Sequence, residues 1–535
     1  MRLPAAILIL VLCTSAQQTA QTPVGLEGTV LDARTGKPIA GARVNPIPFN
    51  ANGTFTNDKG AFSLGPLAPG RFQLLVDAPG HVGQTVVIDL AIGERRNGVE
   101  IRLEQTGVIS GRVVDSAGRP IAGIYPQTMV YTHSFPGSNS SVIARADQSD
   151  VTLHPLELGR SGGTDDRGEF RIYNLPPGEY FLRIARRSNP SSGAVLYPGV
   201  VGPSKAVPIR VRAGEDVRLA DVTLASPNLG LITAYITNTN REALRPNDGY
   251  GLDLLSSTGT FIDSIGGSAP LSIRPDAPGP YVVCASLTIA ATASRSCRSV
   301  EYTGAEMNLD FTVTKPDGKF TGRILLEQQD GTLAMPLQGA SVLLDIQKAN
   351  GMAAFATGKS DGNFEETGLY RGRGQVTSLV RRPGQGNPNY YLASVRQGDR
   401  DVLTDGLIIT DQESNVEILV SALGGVVRGK ITDADGHIVP NATVAIVPEG
   451  DLVKRTDLND IYRTDQSDID GIFEIRGVIP GSYRAFAATR PENWAYWDSE
   501  YMKQFDSVGK SIQIVKGGSA SADLTAIIID IETTK

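Results

Sequence analysis

The sequence predicts an all-β protein of about five tandem antiparallel β-sandwiches, and two observations support this prediction. First, the 535 residues include 59 Gly, 32 Pro and only 6 Met, a composition that suits short strands joined by many turns and does not suit long helices. Second, two motifs recur along the chain at a spacing of roughly 80 to 120 residues. This spacing exceeds a solenoid repeat, so each copy is expected to form a small domain of its own.

The first motif reads as a strand, a turn centred on Asp and Gly, a Pro-containing connection and a second strand. Its β-branched residues favour strands, and the Gly can adopt the positive φ that a hairpin turn requires. Clear copies occupy residues 25–44, 107–130 and 425–447, and a weaker copy occupies residues 320–346. Each copy therefore predicts two strands of one sandwich.

The second motif reads as a polar turn, a short strand, a Pro-Gly corner and an alternating strand. Its copies occupy residues 56–76, 164–185 and 464–487. In the middle copy, alternation at period two predicts one face turned to a core. The side chains on this face are Phe170, Ile172, Tyr180, Leu182 and Ile184. A further strand is predicted to close the units, near Ile101, Val222, Ile418 and Leu524.

Together the motifs predict the domain organisation. The predicted order is a signal peptide at 1–16 followed by sandwiches at 24–105, 106–226, 227–315, 316–423 and 424–535. The third sandwich lacks the motifs and is assigned by its length and by strand-like stretches such as "LITAYI". Two insertions depart from the pattern, a polar loop at 131–163 and an aromatic segment at 490–510. Long insertions on a sandwich are where binding tends to reside.

The paired motifs resemble the carboxypeptidase regulatory-like domain. "GLEGTVLDARTGKPIAGARV" followed by "TNDKGAFSLGPLAPGRFQLLV" carries the resemblance, which covers residues 25–105, 107–225 and 425–530 and, in part, 320–422. Relatives of that family include the transthyretin-like domain of metallocarboxypeptidases, the collagen-adhesin B-type repeat and the starch-binding-domain-like superfamily. The resemblance implies a prealbumin-like sandwich of about seven strands, non-catalytic as a rule, with no catalytic residue to carry over. The whole arrangement is similar to multi-domain secreted proteins of Gram-negative soil bacteria.

The N-terminus predicts export. Arg2 supplies a positive start, residues 5–12 an apolar stretch, and residues 14–16 the small residues of a cleavage site. The apolar stretch is too short to span a bilayer, so we expect a cleaved signal peptide and no membrane-spanning segment after cleavage. Lipidation of Cys13 stays an alternative, although Leu12 is not the small residue that precedes a lipoprotein cysteine. The mature protein is expected to be periplasmic, outer-membrane-associated or extracellular.

Net charge and cysteine content limit the classes of partner and the redox chemistry to be expected. A net charge of -7 and a pI near 5.4 argue against a nucleic-acid partner, which would require a basic face. Cys284 and Cys297 remain after cleavage, and export favours their oxidation. The residues around them alternate like two strands around a bend, so a disulfide that staples a hairpin is expected. The spacing is not Cys-x-x-Cys, which argues against a redox site.

No catalytic residue and no cofactor are predicted. His154 and Glu157 have the His-x-x-Glu spacing of zinc carboxypeptidases, but a zinc site needs a third ligand. The next histidine, His437, belongs to a different predicted domain, and the pair lies in a polar insertion. His81 and His133 are isolated in predicted loops and favour solvated or local roles. A zinc hydrolase is therefore the least favoured interpretation.

The acidic turns leave two interpretations. Asp468 and Asp470 stand two apart before a glycine, and calcium prefers clustered carboxylate oxygens. The position of the bidentate Glu of an EF-hand loop is Gly477 here, and Asp and Gly suit tight turns for local reasons. The structural turn is favoured over a metal site.

The aromatic insertion is the main candidate for ligand binding. The candidate residues are Trp494, Tyr496, Trp497 and Tyr501. Flat rings can stack on sugars, whereas the alternative is that they pack the insertion onto its own sandwich. Asp498 is predicted to cap a short helix through Tyr501 and Phe505.

The expected function is a non-enzymatic, secreted chain of sandwiches that binds or scaffolds at the cell envelope. The expected partners are polysaccharide or envelope proteins. An alternative, drawn from the resemblance, is an accessory component of an outer-membrane TonB-dependent transport or secretion system.

Overall fold

The computed structural model describes residues 24–47, 53–67, 69–133, 151–155, 160–186, 195–200, 205–224, 229–238, 249–256, 261–275, 278–289, 292–313, 318–327, 335–338, 340–347, 353–369, 371–380, 389–410, 415–489 and 495–528. These residues form a succession of five β-sandwiches, each built from two sheets, and the predicted fold class is confirmed. Within the described ranges, no helix is long and apolar enough to cross a membrane.

The first sandwich is a compact unit by itself. Its strands are β1 (Val24–Asp32), β2 (Arg43–Ile47), β3 (Thr54–Phe55), β4 (Ala61–Leu67), β5 (Gly70–Asp77), β6 (Gln84–Leu90) and β7 (Arg95–Leu103). They pair in the orders β4-β1-β7 and β3-β2-β5-β6. Leu74 and Val76 are fully buried because alternate side chains of β5 point between the sheets.

The second sandwich contains the middle copy of the second motif. Its strands are β8 (Gly107–Val114), β9 (Ile124–His133), β10 (Val151–Pro155), β11 (Arg160–Ser161), β12 (Glu169–Leu175), β13 (Gly178–Arg186), β14 (Val195–Leu196), β15 (Ile209–Val211), β16 (Asp216–Arg218) and β17 (Val222–Thr223). One sheet runs β10-β9-β13-β14 with β15 also on β13, and the other runs β11-β12-β8-β16 with β17 also on β8. The five side chains that alternation predicts to face the core are all buried.

Part of the predicted polar loop at 131–163 is a strand. β10 pairs with β9 so that His154 lies opposite Val130 and Pro155 opposite Met129. The loop prediction is therefore wrong for residues 131–133, 151–155 and 160–161, which are strand. Val151 and its neighbours favour extended backbone, and they add a strand to the free edge of β9.

The third sandwich was predicted without motif support. Its strands are β18 (Ile232–Asn238), β19 (Gly249–Ser256), β20 (Phe261–Gly267), β21 (Leu271–Ile273), β22 (Gly279–Ile289), β23 (Thr292–Tyr302) and β24 (Met307–Val313), paired as β21-β18-β24 and β20-β19-β22-β23. Cys284 and Cys297 lie directly opposite each other on β22 and β23, with Cα atoms 4.0 Å apart, and form a disulfide. The bond joins the edge strand β23 to its neighbour.

The fourth sandwich has the longest sheet. Its elements are β25 (Gly318–Glu327), β26 (Met335–Pro336), β27 (Ser341–Gln347), β28 (Ala353–Thr357), β29 (Asn363–Leu369), β30 (Gly372–Val380), β31 (Tyr391–Gln397), β32 (Arg400–Asp401), α1 (Val402–Asp405), β33 (Leu407–Ile409) and β34 (Asn415–Ser421). The sheets run β26-β25-β34-β31-β32, with β29 also on β25, and β28-β27-β30-β33. Asp401 caps α1 by accepting from the amide of Leu403 at 3.0 Å.

The fifth sandwich carries the helical insertions. Its elements are β35 (Gly425–Thr432), β36 (Thr443–Pro448), α2 (Leu458–Ile461), β37 (Arg463–Gln466), β38 (Ile472–Val478), β39 (Gly481–Ala488), α3 (Ser499–Met502), β40 (Lys510–Ile514), β41 (Ser519–Ser521) and β42 (Leu524–Thr525). The sheets run β38-β35-β41, with β42 also on β35, and β37-β36-β39-β40. Three 3₁₀ helices lie at Gly450–Lys454, Ala495–Trp497 and Lys503–Phe505.

One pairing in every sandwich departs from the antiparallel pattern. The opening strand runs parallel to the closing strand: β1 with β7, β8 with β16 and β17, β18 with β24, β25 with β34, and β35 with β41 and β42. The other pairs of named strands are antiparallel. Period-two alternation carries no information on strand direction, so it cannot predict this pairing.

The repeated turn that opens the second motif is a structural clamp. A hydroxyl at its start, from Thr56, Thr164 or Ser467, binds the Pro-containing connection of the first motif. Thr164, for example, donates to the carbonyl of Ile121 at 2.7 Å and accepts from the amide of Ile124 at 3.0 Å. The hydroxyl thus joins two segments that are distant in the sequence.

The residue after each clamp hydroxyl closes the turn itself. Asn57, Asp165 and Asp468 each use Oδ1 to accept from the amides two and four positions later. This local capping is what Asx side chains do in tight turns. The Asn or Asp at this position therefore holds the corner of each of these three sandwiches.

Candidate functional site

The aromatic insertion folds into a cap over the fifth sandwich, defined here as residues 495–505. Asp498 accepts from the amide of Tyr501 at 3.0 Å and so begins α3, which confirms the predicted capping residue. α3 is only four residues long, and a 3₁₀ turn continues it to Phe505. Ala495 and Met502 are buried, which holds the cap against the sheet.

The rings of the cap pack on one another. Tyr496 meets Trp497 edge to face with centroids 6.0 Å apart, and Tyr501 lies 5.6 Å from Phe505. These spacings are typical of favourable aromatic pairs. All four rings are half-buried, so the packing interpretation holds for part of each ring while the rest stays accessible. Trp494, the fourth predicted binding residue, lies outside the described residues.

Between the cap and the sheet lies a small apolar pocket that opens to solvent. Its lining residues are Thr443, Ala445, Phe486, Ala488, Ala495, Tyr496, Tyr501, Met502, Phe505 and Ile527. The small side chains of Ala445 and Ala488, on neighbouring strands, leave room beneath the rings. A pocket walled by aromatic rings with almost no polar lining suits a ligand that presents an apolar face.

A second insertion, between β36 and β37, reaches the fourth sandwich. We call residues 449–463 the bracket. Its 3₁₀ helix and α2 place Thr456 so that its amide donates to the carbonyl of Leu403 at 2.7 Å. Arg455 donates through Nη2 to the carbonyl of Leu392 at 2.9 Å. The bracket therefore bonds directly to α1 and β31 of the neighbouring sandwich.

Two buried carboxylates anchor the bracket. Asp457 and Asp460 are fully buried. Asp457 accepts from Arg455 at 2.6 and 2.8 Å, and Asp460 lies 3.8 Å from Arg463. Asp460 also accepts the backbone amide of Leu379 in β30 at 2.8 Å. Buried charges persist only when they are paired and hydrogen-bonded in this way.

Burial also changes the proton affinity of this cluster. Desolvation raises the pKa of Asp457 to about 6, the hydrogen bond from Arg455 opposes the rise, and the neighbouring Asp460 adds to it. The same ion pair raises the pKa of Arg455. Asp457 thus responds to mildly acidic conditions.

Apolar contact and one outer ion pair complete the interface. Tyr391 of the fourth sandwich is buried with Ile461 and Ile479 of the fifth. Further along, Lys516 reaches Glu327 at 2.5 Å, and its hydrogen bond lowers the pKa of that carboxyl. The fourth and fifth sandwiches therefore meet over an interface with a buried centre and a charged rim.

The cap and the bracket touch each other. The ring of Tyr462, in the bracket, lies 5.8 Å from that of Trp497 in the cap. Arg484 of β39 bonds to Glu449 at 2.9 Å and to Asp506 at 3.0 Å, so it joins the start of the bracket to the end of the cap. Burial raises the pKa of Tyr496 to about 12. Cap and bracket form one continuous surface feature on the fifth sandwich.

The acidic turns offer one compact group of possible metal ligands. Oxygen and nitrogen atoms of Asp433, Asp435 and His437 lie within 4.8 Å of one another. However, Oδ1 of Asp433 accepts from the amides of Asp435 and His437, which lowers the pKa of the Asp433 carboxyl. Its Oδ2 meets Nδ1 of His437 at 3.2 Å. The Asp433 carboxylate is therefore already hydrogen-bonded within its own turn.

The described structure does not include both residues of the zinc hypothesis. His154 lies on β10, whereas Glu157 is outside the described residues, as are Cys13 and the predicted signal peptide. His437 belongs to the turn after β35 in the fifth sandwich.

The bracket is the feature that sequence reasoning missed. The corresponding β2–β3 connection of the first sandwich spans residues 48–53, far shorter than 449–462 between β36 and β37. This extra length, together with the charged residues beside Ile461 and Tyr462, is the sequence feature from which the bracket could have been predicted. Composition alone cannot tell a surface loop from a loop that docks on a neighbour.

The fold and these features define a multi-domain β-sandwich protein. Residues 25–104, the first sandwich, match the family model of the carboxypeptidase regulatory-like domain, so the predicted resemblance is confirmed there. No curated protein matches the chain.

Several solved pilin structures are similar to the chain. A streptococcal ancillary pilin matches at 11% identity over 59% of this chain and 99% of that chain, with a TM-score of 0.20. GBS52, the minor pilin of Streptococcus agalactiae, matches at 14% over 37% and 95%, with a TM-score of 0.21. BcpA, the major pilin subunit of Bacillus cereus, matches at 9% over 59% and 100%, with a TM-score of 0.13.

Proposed function

We propose that the protein is an exported, non-catalytic scaffold whose fourth and fifth sandwiches act as one rigid module at the cell envelope. The observation that carries this proposal is the bracket, which places two fully buried carboxylates at the interface. One of them, Asp460, binds the backbone of the other sandwich at 2.8 Å. A flexible linker would need neither feature.

The chemistry of the described residues supports a non-catalytic role. Both cysteines of the third sandwich are consumed in a disulfide. The acidic side chains of the repeated turns are engaged by backbone amides, as Asp165 shows. Their arrangement holds the corners of the sandwiches.

Distance measurement between spin labels tests the rigid module. Labels would be placed at Glu417 on β34 and Ser511 on β40, both exposed, in a chain carrying Cys13→Ser. We expect a narrow distance distribution for the otherwise unchanged chain and a broad one after Asp460→Ala. Asp451→Ala, which removes an exposed bracket acid paired with Lys454, is the matched control and should leave the distribution narrow. A broad distribution in the unchanged chain would refute the rigid module.

The pocket beneath the cap supports a second function, the binding of polysaccharide. The C–H face of a sugar ring is apolar and stacks on aromatic side chains, and Tyr496 and Tyr501 line the pocket. Binding to a glycan array should weaken after Tyr501→Ala, with the fold retained by circular dichroism. Tyr173→Ala removes an exposed tyrosine of the second sandwich and serves as the control. Absence of binding to every glycan would reject this function and leave the scaffold role untouched.

A further inference from the structure

The opening and closing strands of each sandwich lie side by side and point the same way. In the third sandwich Ile232–Asn238 pairs with Met307–Val313 over seven consecutive residues without a break. In the fourth, residues 321–327 pair with 415–421, again seven in succession. Because the two strands are parallel, the chain enters each of these sandwiches at one end and leaves it at the other.

This arrangement fixes how tension would act. A pull on the chain drags the opening strand towards one end and the closing strand towards the other, so the pair slides in shear. The evenly spaced hydrogen bonds of a parallel pair then carry the load together and must break together. An antiparallel pair of terminal strands would instead open one bond at a time, from the end that is pulled.

We propose that these sandwiches resist tension applied along the chain, and that the protein is a load-bearing tether. This role goes beyond scaffolding, since a scaffold needs fixed geometry but no resistance to pulling. The apolar core adds to the resistance: Leu309, Phe311 and Val313 of β24 are buried with Ile232 and Ile236 of β18. Sliding would drag these side chains out of a close-packed interior.

The sandwiches differ in how continuous this pairing is. The second is interrupted, since β8 pairs with β16 through Ser110 and resumes with β17 at Val113. The fifth is interrupted in the same way between β41 and β42. The first has a register shift between Leu26 and Gly28. Under tension, the third and fourth sandwiches are therefore expected to unfold at higher force than the others.

The third sandwich has an internal marker for the experiment. Its disulfide joins two cysteines 13 positions apart in the sequence. The loop between them cannot extend when the oxidised sandwich unfolds under force. Reduction frees the loop and lengthens the released chain by about 40 Å, from the reach of an extended residue. A force peak whose extension grows by that amount on reduction belongs to this sandwich.

Single-molecule force spectroscopy on the full chain tests the proposal. One handle is attached to the N-terminus, and the other to a thiol introduced in a Cys13→Ser chain as Thr312→Cys or Glu306→Cys. Both positions are exposed, but Thr312 lies near the end of β24 and Glu306 immediately before its start. Loading at 312 shears β18 against β24, whereas loading at 306 pulls the same pair apart from one end.

We expect the disulfide-marked peak at high force with the 312 handle and a shift to clearly lower force with the 306 handle. Equal forces with the two handles would overturn the proposal, because the resistance would then not depend on shear. A marked peak that precedes those of the first and second sandwiches, which bear the load together with it, would also overturn it. Neither result bears on the rigid module, which the spin-label distances test separately.

Discussion

Oδ2 of Asp460 accepts a hydrogen bond from the backbone amide of Leu379 at 2.8 Å, across the boundary between two sandwiches. The carboxylate is fully buried and also lies 3.8 Å from Arg463. Substituting Asp460→Ala removes the acceptor of the Leu379 amide and the negative charge beside Arg463, which should cost about 3 kcal/mol of interface stability. Hydrogen exchange at Leu379 should accelerate accordingly. Unchanged protection of that amide would show that the bond contributes nothing.

An exposed acid of the same bracket provides the contrast. Asp451 pairs with Lys454 at 2.7 Å on the surface. Because exposed ion pairs contribute little, Asp451→Ala should leave exchange at Leu379 unaltered. An effect as large as that of Asp460→Ala would mean that the bracket responds to any loss of charge.

The interface should become more stable as the pH falls from 7.5 to 5. The folded pKa of Asp457, about 6, lies above the ordinary value of 3.8, so the folded state binds the proton more tightly. The stabilisation is complete below 3.8 and is lost as the pH rises through about 6. Exchange at bracket amides, corrected for intrinsic rates, measures this trend. Asp457→Asn should flatten it, and an unchanged slope in that variant would assign the trend to another group.

The rim ion pair should behave differently from the buried cluster. Lys516 and Glu327 are both partly exposed, so Lys516→Ala should cost about 1 kcal/mol or less. Its effect should shrink in high salt, which screens exposed charges. Comparison of chemical unfolding at low and high salt measures this, and a salt-independent loss would indicate that Lys516 acts through packing.

The clamp hydroxyl of the repeated turn should contribute more to the free energy of unfolding than a surface hydroxyl does. Thr164→Val removes the donor to Ile121 and the acceptor for Ile124 at nearly constant volume. Stability of the second sandwich should fall by about 2 kcal/mol, since the partners are left unsatisfied. Thr223→Val, at an exposed position of the same sandwich, is the control. If the two substitutions lowered the free energy of unfolding in urea equally, the hydrogen bonds of Thr164 would not stabilise the turn.

Sequence patterns predict the strands of each sandwich better than they predict the parallel strand pairing or the contacts between sandwiches. Alternation at Tyr180, Leu182 and Ile184 predicts burial because side-chain direction along a strand is a local property. Asp498 could be named as a helix cap for the same reason. Neither the parallel closing strand nor the docking of Asp460 on Leu379 has a local signature, because both depend on residues far apart in the chain. The boundaries between sandwiches, the polysaccharide partner and the export signal stay predictions.

The parallel pairing also sets an order of assembly. Gly28 of β1 pairs with Val99 of β7, so the first sandwich cannot close until its final strand has been delivered. Such non-local pairing slows folding and leaves the opening strand with an exposed edge in the meantime. A chain that emerges from its N-terminus would therefore complete its sandwiches one after another. The docking of the bracket onto β30 and β31 would then couple the folding of the fourth sandwich to that of the fifth.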